Sequence, residues 1–341
     1  MQAGKTAAAS MAETLRHAVV GLGRIGSLLE EDVLREKPCT HAGAVSATAG
    51  SCLVAGCDII EERRARFAER WGCEAVYRDY RQMLAEQPTD VLHIATDPET
   101  HYPIVKAAAD AGVRVAVCEK PLAHTWRASR AIVRLDRERR ITVLVNHERR
   151  YSNDYLEARA AVAERRYGEP LAVQARLYFG RTRGLWSMLW HDGTHLLDVA
   201  GFVLGAPLER AHRLQGNLRG GGTSAWVAAR AAGVPVVLEI GGGRDHLLFE
   251  LIVSCERGEI HVGNGFYREY ESVESPYYEG YRSLQPVREN PFQKTGYFRN
   301  MVADAAACAR EPERRPVSGA ADAEHATRAI FSLRPFLARF G

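Results

Sequence analysis

The chain has 341 residues, 46% of them hydrophobic and 26% charged, with a formal net charge of +3. At roughly 100–200 residues per domain this is material for two cores. The arginines are scattered among acids, which argues against nucleic acid as the main partner. No apolar run reaches the roughly 18 residues a membrane span needs.

Seven cysteines (Cys39, Cys52, Cys57, Cys73, Cys118, Cys255 and Cys308) are odd in number and never form Cys-x-x-Cys. They read as reduced thiols of a cytoplasmic protein, and neither a disulfide framework nor a zinc cluster fits them. Residues 1–14 are small and polar and lack the apolar centre of a signal peptide, and residues 1–16 read as a disordered tail.

From His17 the run Ala18-Val19-Val20 leads into Gly21-Leu22-Gly23-Arg24-Ile25-Gly26, and an amphipathic segment from Ser27 to Leu34 follows. Strand, glycine turn and helix form a dinucleotide fingerprint. The first glycine allows a tight turn, the second lets the backbone approach a pyrophosphate, and the third permits close helix–strand packing. The free N–H groups of a helix amino terminus suit the phosphates. The next strand ends at Asp58, an acid suited to a ribose diol. No cation stands among Ile59, Ile60, Glu61 and Glu62, so NAD is favoured over NADP. Asp58 lies well beyond the usual spacing from the glycines, and residues 30–46 read as an insertion in the first crossover.

Strand and helix then alternate. Val91 to Ala95 is a buried strand, and Thr96, Pro98 and His101, at its carboxyl end, are expected to line the nicotinamide side of a cleft. Val113 to Val117 is another strand, running into Cys118-Glu119-Lys120-Pro121. Lysines are scarce here (Lys5, Lys37, Lys106, Lys120 and Lys294), the other basic side chains being arginine. A compact ammonium at a strand end is suited to chemistry in a way a guanidinium is not, although such a lysine can also simply point to water. A last strand from Thr142 to Asn146 completes six, a doubly wound parallel sheet over residues 17–148.

Residues 149–341 change character: a helix over 153–166, then strands over 171–179, 211–218, 225–231, 234–240, 247–255 and 259–262, separated by glycine turns. This predicts an α+β domain with a mostly antiparallel sheet, open on one face. Within it, Trp190-His191-Asp192-Gly193-Thr194-His195-Leu196-Leu197-Asp198 opens a helix on which His191 and His195 are one turn apart. A metal is one reading, but no His-Glu-x-x-His is present; a solvated helix start capped by Asp192 is another. Residues 264–297 are rich in tyrosine, lack a period and read as a long loop, serving as a subunit contact or a wall over substrate.

With these motifs in hand, the chain resembles the glucose-fructose oxidoreductase, inositol dehydrogenase and rhizopine-catabolism family, Gfo/Idh/MocA. The resemblance rests on Gly21 to Gly26, Asp58, Glu119-Lys120-Pro121 and Gly193 to Asp198. It implies an NAD(P)-dependent dehydrogenase acting on a secondary alcohol, or the ketone, of a sugar or cyclitol, and a cytoplasmic homodimer or homotetramer.

It also implies cofactor contacts from Gly21, Gly23, Arg24, Ile25, Gly26, Asp58, Thr96, Pro98, His101, Glu119 and Lys120, with Lys120 on the reacting oxygen, a cis Lys120–Pro121 bond and His195 as acid/base. Substrate contacts are expected from His191, Asp192, Arg149, Arg150 and Tyr155. Asn153, Arg181 and Arg183 are further candidates for the sugar side. Relatives carry aspartate four residues before the histidine; here that position is His191, with Asp192 next, and either can take the contact. The same fold also carries non-catalytic dinucleotide-binding regulators and imine or biliverdin reductases.

Overall fold

The structure, a computed structural model, describes residues 14–180, 185–214, 224–291 and 295–337. Six strands form the first sheet: β1 (Leu15–Val20), β2 (Ser51–Cys57), β3 (Val76–Tyr77), β4 (Val91–Ile94), β5 (Val115–Cys118) and β6 (Thr142–Val145). Their order is β3-β2-β1-β4-β5-β6 and every pair is parallel. This is the expected doubly wound sheet. Its β-branched runs are buried on both faces, with Val19, Val91, Val115, Val117 and Val143 fully enclosed. Helices α1 (His41–Ser46), α2 (Glu61–Trp71), α3 (Tyr80–Glu86), α4 (Pro98–Asp110) and α5 (Trp126–Arg137) fill the crossovers. Thr40, Asp79 and Thr125 cap α1, α3 and α5 by accepting backbone N–H groups.

The first crossover differs from expectation. Instead of a helix from Ser27 to Leu34 there is only a short 3-10 turn, Leu28–Glu31. The Lys37 ammonium donates to the carbonyls of Leu29 and Asp32, 3.2 and 2.6 Å away, taking acceptors that a continuing helix would use. The Glu30 carboxylate accepts from Cys39 N–H (3.1 Å) and the Thr40 hydroxyl (2.7 Å), tying the insertion to the start of α1.

The second half holds α6 (Asn153–Ala163), β7 (Pro170–Phe179), α7 (Leu185–Met188), α8 (Thr194–Val203), β8 (Glu209–Leu214), β9 (Ser224–Ala231), β10 (Val234–Gly241), β11 (Leu247–Cys255), β12 (Gly258–Gly263), β13 (Phe266–Glu274) and β14 (Arg282–Pro291). Their sheet has the order β14-β13-β12-β11-β7-β10-β9-β8, antiparallel except for β7 with β10. The apolar residues of one face, among them Val173, Leu177, Leu238 and Leu251, pack on Leu196, Val199 and Val203 of α8. The end of the strand expected over 211–218 and the glycines at 220–222 lie outside the described residues, as do Arg181 and Arg183.

The tyrosine-rich stretch is not a loop but the β13–β14 hairpin, with Tyr277, Tyr278 and Tyr281 exposed at its tip. Its alternation is masked in sequence because charges sit on both faces. Glu269, 3% exposed, faces inward and accepts from the hydroxyls of Tyr167 and Tyr267 and from Arg166. Pro286 is tolerated because β14 is an edge strand.

The chain then returns to the first sheet. In α9 (Tyr297–Arg310) the side chains of Phe298, Met301, Val302 and Ala305 pack on Val91, Val115 and Leu144. Ala320 and Ala323 of α10 (Ala320–Leu337) join the core beneath α5. Part of the cover of the first sheet thus comes from residues that follow the second sheet in sequence. Among the described residues no helix is long and apolar enough to cross a membrane.

Candidate active site

The loops after β1, β2, β4, β5 and β6 gather at the carboxyl edge of the parallel sheet, where the strand order reverses between β1 and β4. Two of the three motif glycines are required by sterics. Gly21 has φ +90°, and a Cβ there would lie 2.4 Å from the Ala95 carbonyl oxygen; a Cβ on Gly26 would lie 1.9 Å from that of Gly21. At Gly23 the nearest atom to such a Cβ is the Arg63 guanidinium at 3.4 Å, so its missing side chain leaves open backbone. Arg24 is exposed and Ile25 half-buried on the same loop.

Asp58 follows β2. Its carboxylate accepts from the N–H groups of Leu22 and Ile60, each at 2.9 Å, and from Arg63 at 3.4 Å, while Arg64 donates to its carbonyl at 2.8 Å. Both arginines are missed by inspecting only the residues just after Asp58, because the first turns of α2 fold them back onto it. An open glycine backbone beside an acid at the end of β2 fits a dinucleotide.

Past β5, Lys120 is half-buried, the Lys120–Pro121 peptide is cis, and the ammonium donates to the carbonyl of His191 at 2.6 Å. That bond joins the edge of the first sheet to the histidine-bearing segment of the second domain. Thr96 and Pro98, half-buried after β4, sit on the same edge. His101 does not: it is fully buried, with ring nitrogens 3.2 and 3.0 Å from the carbonyls of Leu122 and Thr96, and so braces the loop from behind.

Glu119 is likewise turned into the core. It accepts from His41 at 3.0 Å, Asn146 at 2.6 Å and the N–H of Lys120 at 3.3 Å. Burial opposes its charge, but the bond from His41, the field of Lys120 and the Asn146 amide outweigh it and hold the carboxyl below its usual range.

The segment carrying His191 is a single π-helical turn, Leu189–Gly193, between α7 and α8. His191 is exposed, Asp192 half-buried and His195 only 8% exposed. Burial pushes the His195 imidazole well below its ordinary range, helped by the charges of Lys120 and Arg149 and by His147. These groups therefore surround one spot. Its Nδ1 is enclosed with no hydrogen-bond partner.

His147 was missed in sequence, though its place just past β6, at the end of a parallel strand, is the signal that finds it. Its ring stands edge-on to His195 with centroids 5.9 Å apart, and its Nε2 lies 3.0 Å from the Thr194 hydroxyl.

The expected sugar-side residues divide. The Arg149 guanidinium lies over the Phe249 ring, 3.5 Å from its centroid, near His195. Arg150 is buried and bonded to both Asp198 oxygens at 2.8 and 2.9 Å and to the Val317 carbonyl at 3.1 Å, so its donors face protein. Tyr155, 1% exposed, sits in the core of the second domain edge-on to Phe249. Asn153 accepts from the Asn300 amide at 3.1 Å.

A doubly wound parallel sheet and a mostly antiparallel sheet thus meet where a strand-end lysine reaches the histidine-bearing segment. The family profile described as "Oxidoreductase family, NAD-binding Rossmann fold" matches residues 15–147, the part of the chain that forms the parallel sheet. Among curated relatives, inositol 2-dehydrogenase of Salmonella typhimurium is 29% identical over 171 residues, which is 50% of this chain and 47% of that protein. D-apiose dehydrogenase of Paraburkholderia graminis is 30% identical over 165 residues, 46% of this chain and 44% of that protein. The chain thus spans a little under half the length of these relatives. The fold extends further: a dehydrogenase from Chromobacterium violaceum superposes with a TM-score of 0.79 at 17% identity, covering 95% of each chain.

Proposed function

We propose that the protein is an NAD-dependent dehydrogenase acting on a secondary alcohol of a sugar or cyclitol, or reducing the corresponding ketone. The observation that carries this reading is the Lys120 ammonium held 2.6 Å from the His191 carbonyl, one helical turn before His195, at the edge where a dinucleotide fits. The relatives named for inositol and apiose support a polyhydroxylated substrate. A nicotinamide bound here supplies the hydride acceptor.

The chain's own residues do the rest. Lys120 has donors beyond the one His191 uses, and these stabilise negative charge on the reacting oxygen. His195, neutral because burial disfavours its charge, accepts the hydroxyl proton at Nε2. His191, rather than Asp192, contacts the substrate, and Arg149 closes the sugar side. Asp58 favours NAD by accepting from the ribose hydroxyls; Arg63 beside it softens the repulsion of a 2′-phosphate without removing it.

The test is purified protein with NAD and a panel of inositols, sugars, sugar phosphates and nucleotide sugars, followed by the near-ultraviolet absorbance of the reduced cofactor. Turnover of a polyol supports the reading. NAD binding without turnover across the panel points to a regulator instead.

A further inference from the structure

Beneath the site, and used by no step above, lies an unbroken chain of buried histidines. His17 of β1, His93 of β4 and His41 of α1 are each fully enclosed. His17 Nδ1 lies 2.9 Å from His93 Nε2, His93 Nδ1 lies 3.0 Å from His41 Nδ1, and His41 Nε2 lies 3.0 Å from Glu119 Oε1.

The direction of the chain follows from its end. A carboxylate only accepts, so His41 donates through Nε2 and, in the form with one ring proton, accepts at Nδ1. His93 must then donate through Nδ1 and accept at Nε2, and His17 must donate through Nδ1. All three protons point toward Glu119, and a bare lone pair is left at His17 Nε2. That atom is the one in the chain that is buried with no hydrogen-bond partner. Aliphatic side chains would fill these core positions without demanding such a match of donors to acceptors.

Resting on the dehydrogenase reading, we propose that His17, His93 and His41 are positioning residues for Lys120: a proton path that offsets the charge of Glu119 when it takes up one proton. The proton binds His17 Nε2; the Nδ1 proton of His17 passes to His93 Nε2, and the Nδ1 proton of His93 passes to His41 Nδ1. His41 then holds protons on both nitrogens against the carboxylate. One proton is gained and no other bond changes. Glu119, whose Oε2 accepts the Lys120 N–H, then no longer opposes the ammonium's pull on a substrate oxygen.

The other groups facing the chain are Asp90 and Arg310 at His17, Asn146 and His101 at Glu119, and the Phe298 ring edge-on to His41.

The test is nitrogen NMR of the whole protein labelled at histidine and lysine, titrated with acid, the signals assigned with His17→Gln, His93→Gln and Lys120→Met. At the alkaline end His17 and His93 carry the Nδ1 proton and His41 the Nε2 proton. On acidification His41 becomes an imidazolium while His93 and His17 reverse their tautomers at one shared midpoint, and the Lys120 signal moves with them. Separate midpoints, another set of tautomers, or a Lys120 signal indifferent to the chain overturns the proposal.

In activity, His93→Gln keeps a donor and an acceptor but cannot pass a proton, so NAD affinity stays and the inflection of the kcat–pH profile at the shared midpoint is lost. A Gln variant with the wild-type profile makes the chain merely structural and also overturns the proposal. The NMR result needs no turnover, so a protein inert toward every polyol refutes the dehydrogenase reading and leaves the chain to be judged by its tautomers.

Discussion

Replacing Arg150 by methionine separates a structural arginine from a substrate-binding one. Arg150 is 9% exposed, and its guanidinium makes two bonds of 2.8 and 2.9 Å to Asp198, which is itself 5% exposed. Without it Asp198 stays buried, with the His147 ring 3.5 Å away. Breaking a buried pair from one side costs about 3–5 kcal/mol, because the remaining charge is uncompensated. The Asp322 contact at 3.3 Å adds little, since that carboxylate is 41% exposed. Against a total stability of about 5–15 kcal/mol, and at about 2–4 °C per kcal/mol for a domain of this size, Arg150→Met is expected to lower Tm by about 10 °C. The assay is thermal melting by circular dichroism, with Asp198→Leu added to the variant; the double variant recovers much of the loss because no buried charge remains. A variant that melts like wild type but shows a raised KM refutes the reasoning and makes Arg150 a substrate ligand.

Lys120→Met is expected to retain NAD binding by calorimetry while kcat falls by about 10²–10³, the scale of a lost oxyanion donor; near wild-type turnover would leave Lys120 a structural tie to His191 with no part in the chemistry. Gly26→Ala puts a Cβ 1.9 Å from the Gly21 carbonyl oxygen, so the loop must move and NAD affinity is lost; an unchanged affinity would show that the loop does not hold the cofactor. His191→Asn should raise KM while Asp192→Asn does little, and the reverse pattern moves the substrate contact to Asp192.

Stability should fall with acid. Burial holds His147 and His195 below the ordinary imidazole value, so they stay neutral in the folded state while the unfolded chain takes up protons. Their contribution is complete above about pH 6.5 and is lost as pH falls from there toward the lower folded values. Urea titrations that give equal stability at neutral and mildly acidic pH would contradict this.

What the sequence determined by itself is what local chemistry controls. The buried parallel strands were legible as β-branched runs, because a strand enclosed on both faces needs no polar alternation. Gly21 and Gly26 were legible because only glycine fits where a Cβ would strike backbone, and Lys120 because a strand end delivers its side chain to the sheet edge.

The rest depended on partners far along the chain. Whether an arginine meets substrate or a buried acid cannot be read from its neighbours: Arg150 is paired by Asp198, and His41 reaches Glu119 across the fold. His101 and Tyr155 look polar in sequence but are enclosed by segments brought to them only on folding. The β13–β14 hairpin looked like a loop because the inward Glu269 breaks the alternation, and a buried carboxylate becomes tolerable only once Tyr167, Tyr267 and Arg166 converge on it. Periodicity and steric demands are properties of a few adjacent residues, whereas the pairing of buried polar groups is a property of the finished packing, so only the tertiary structure decided it.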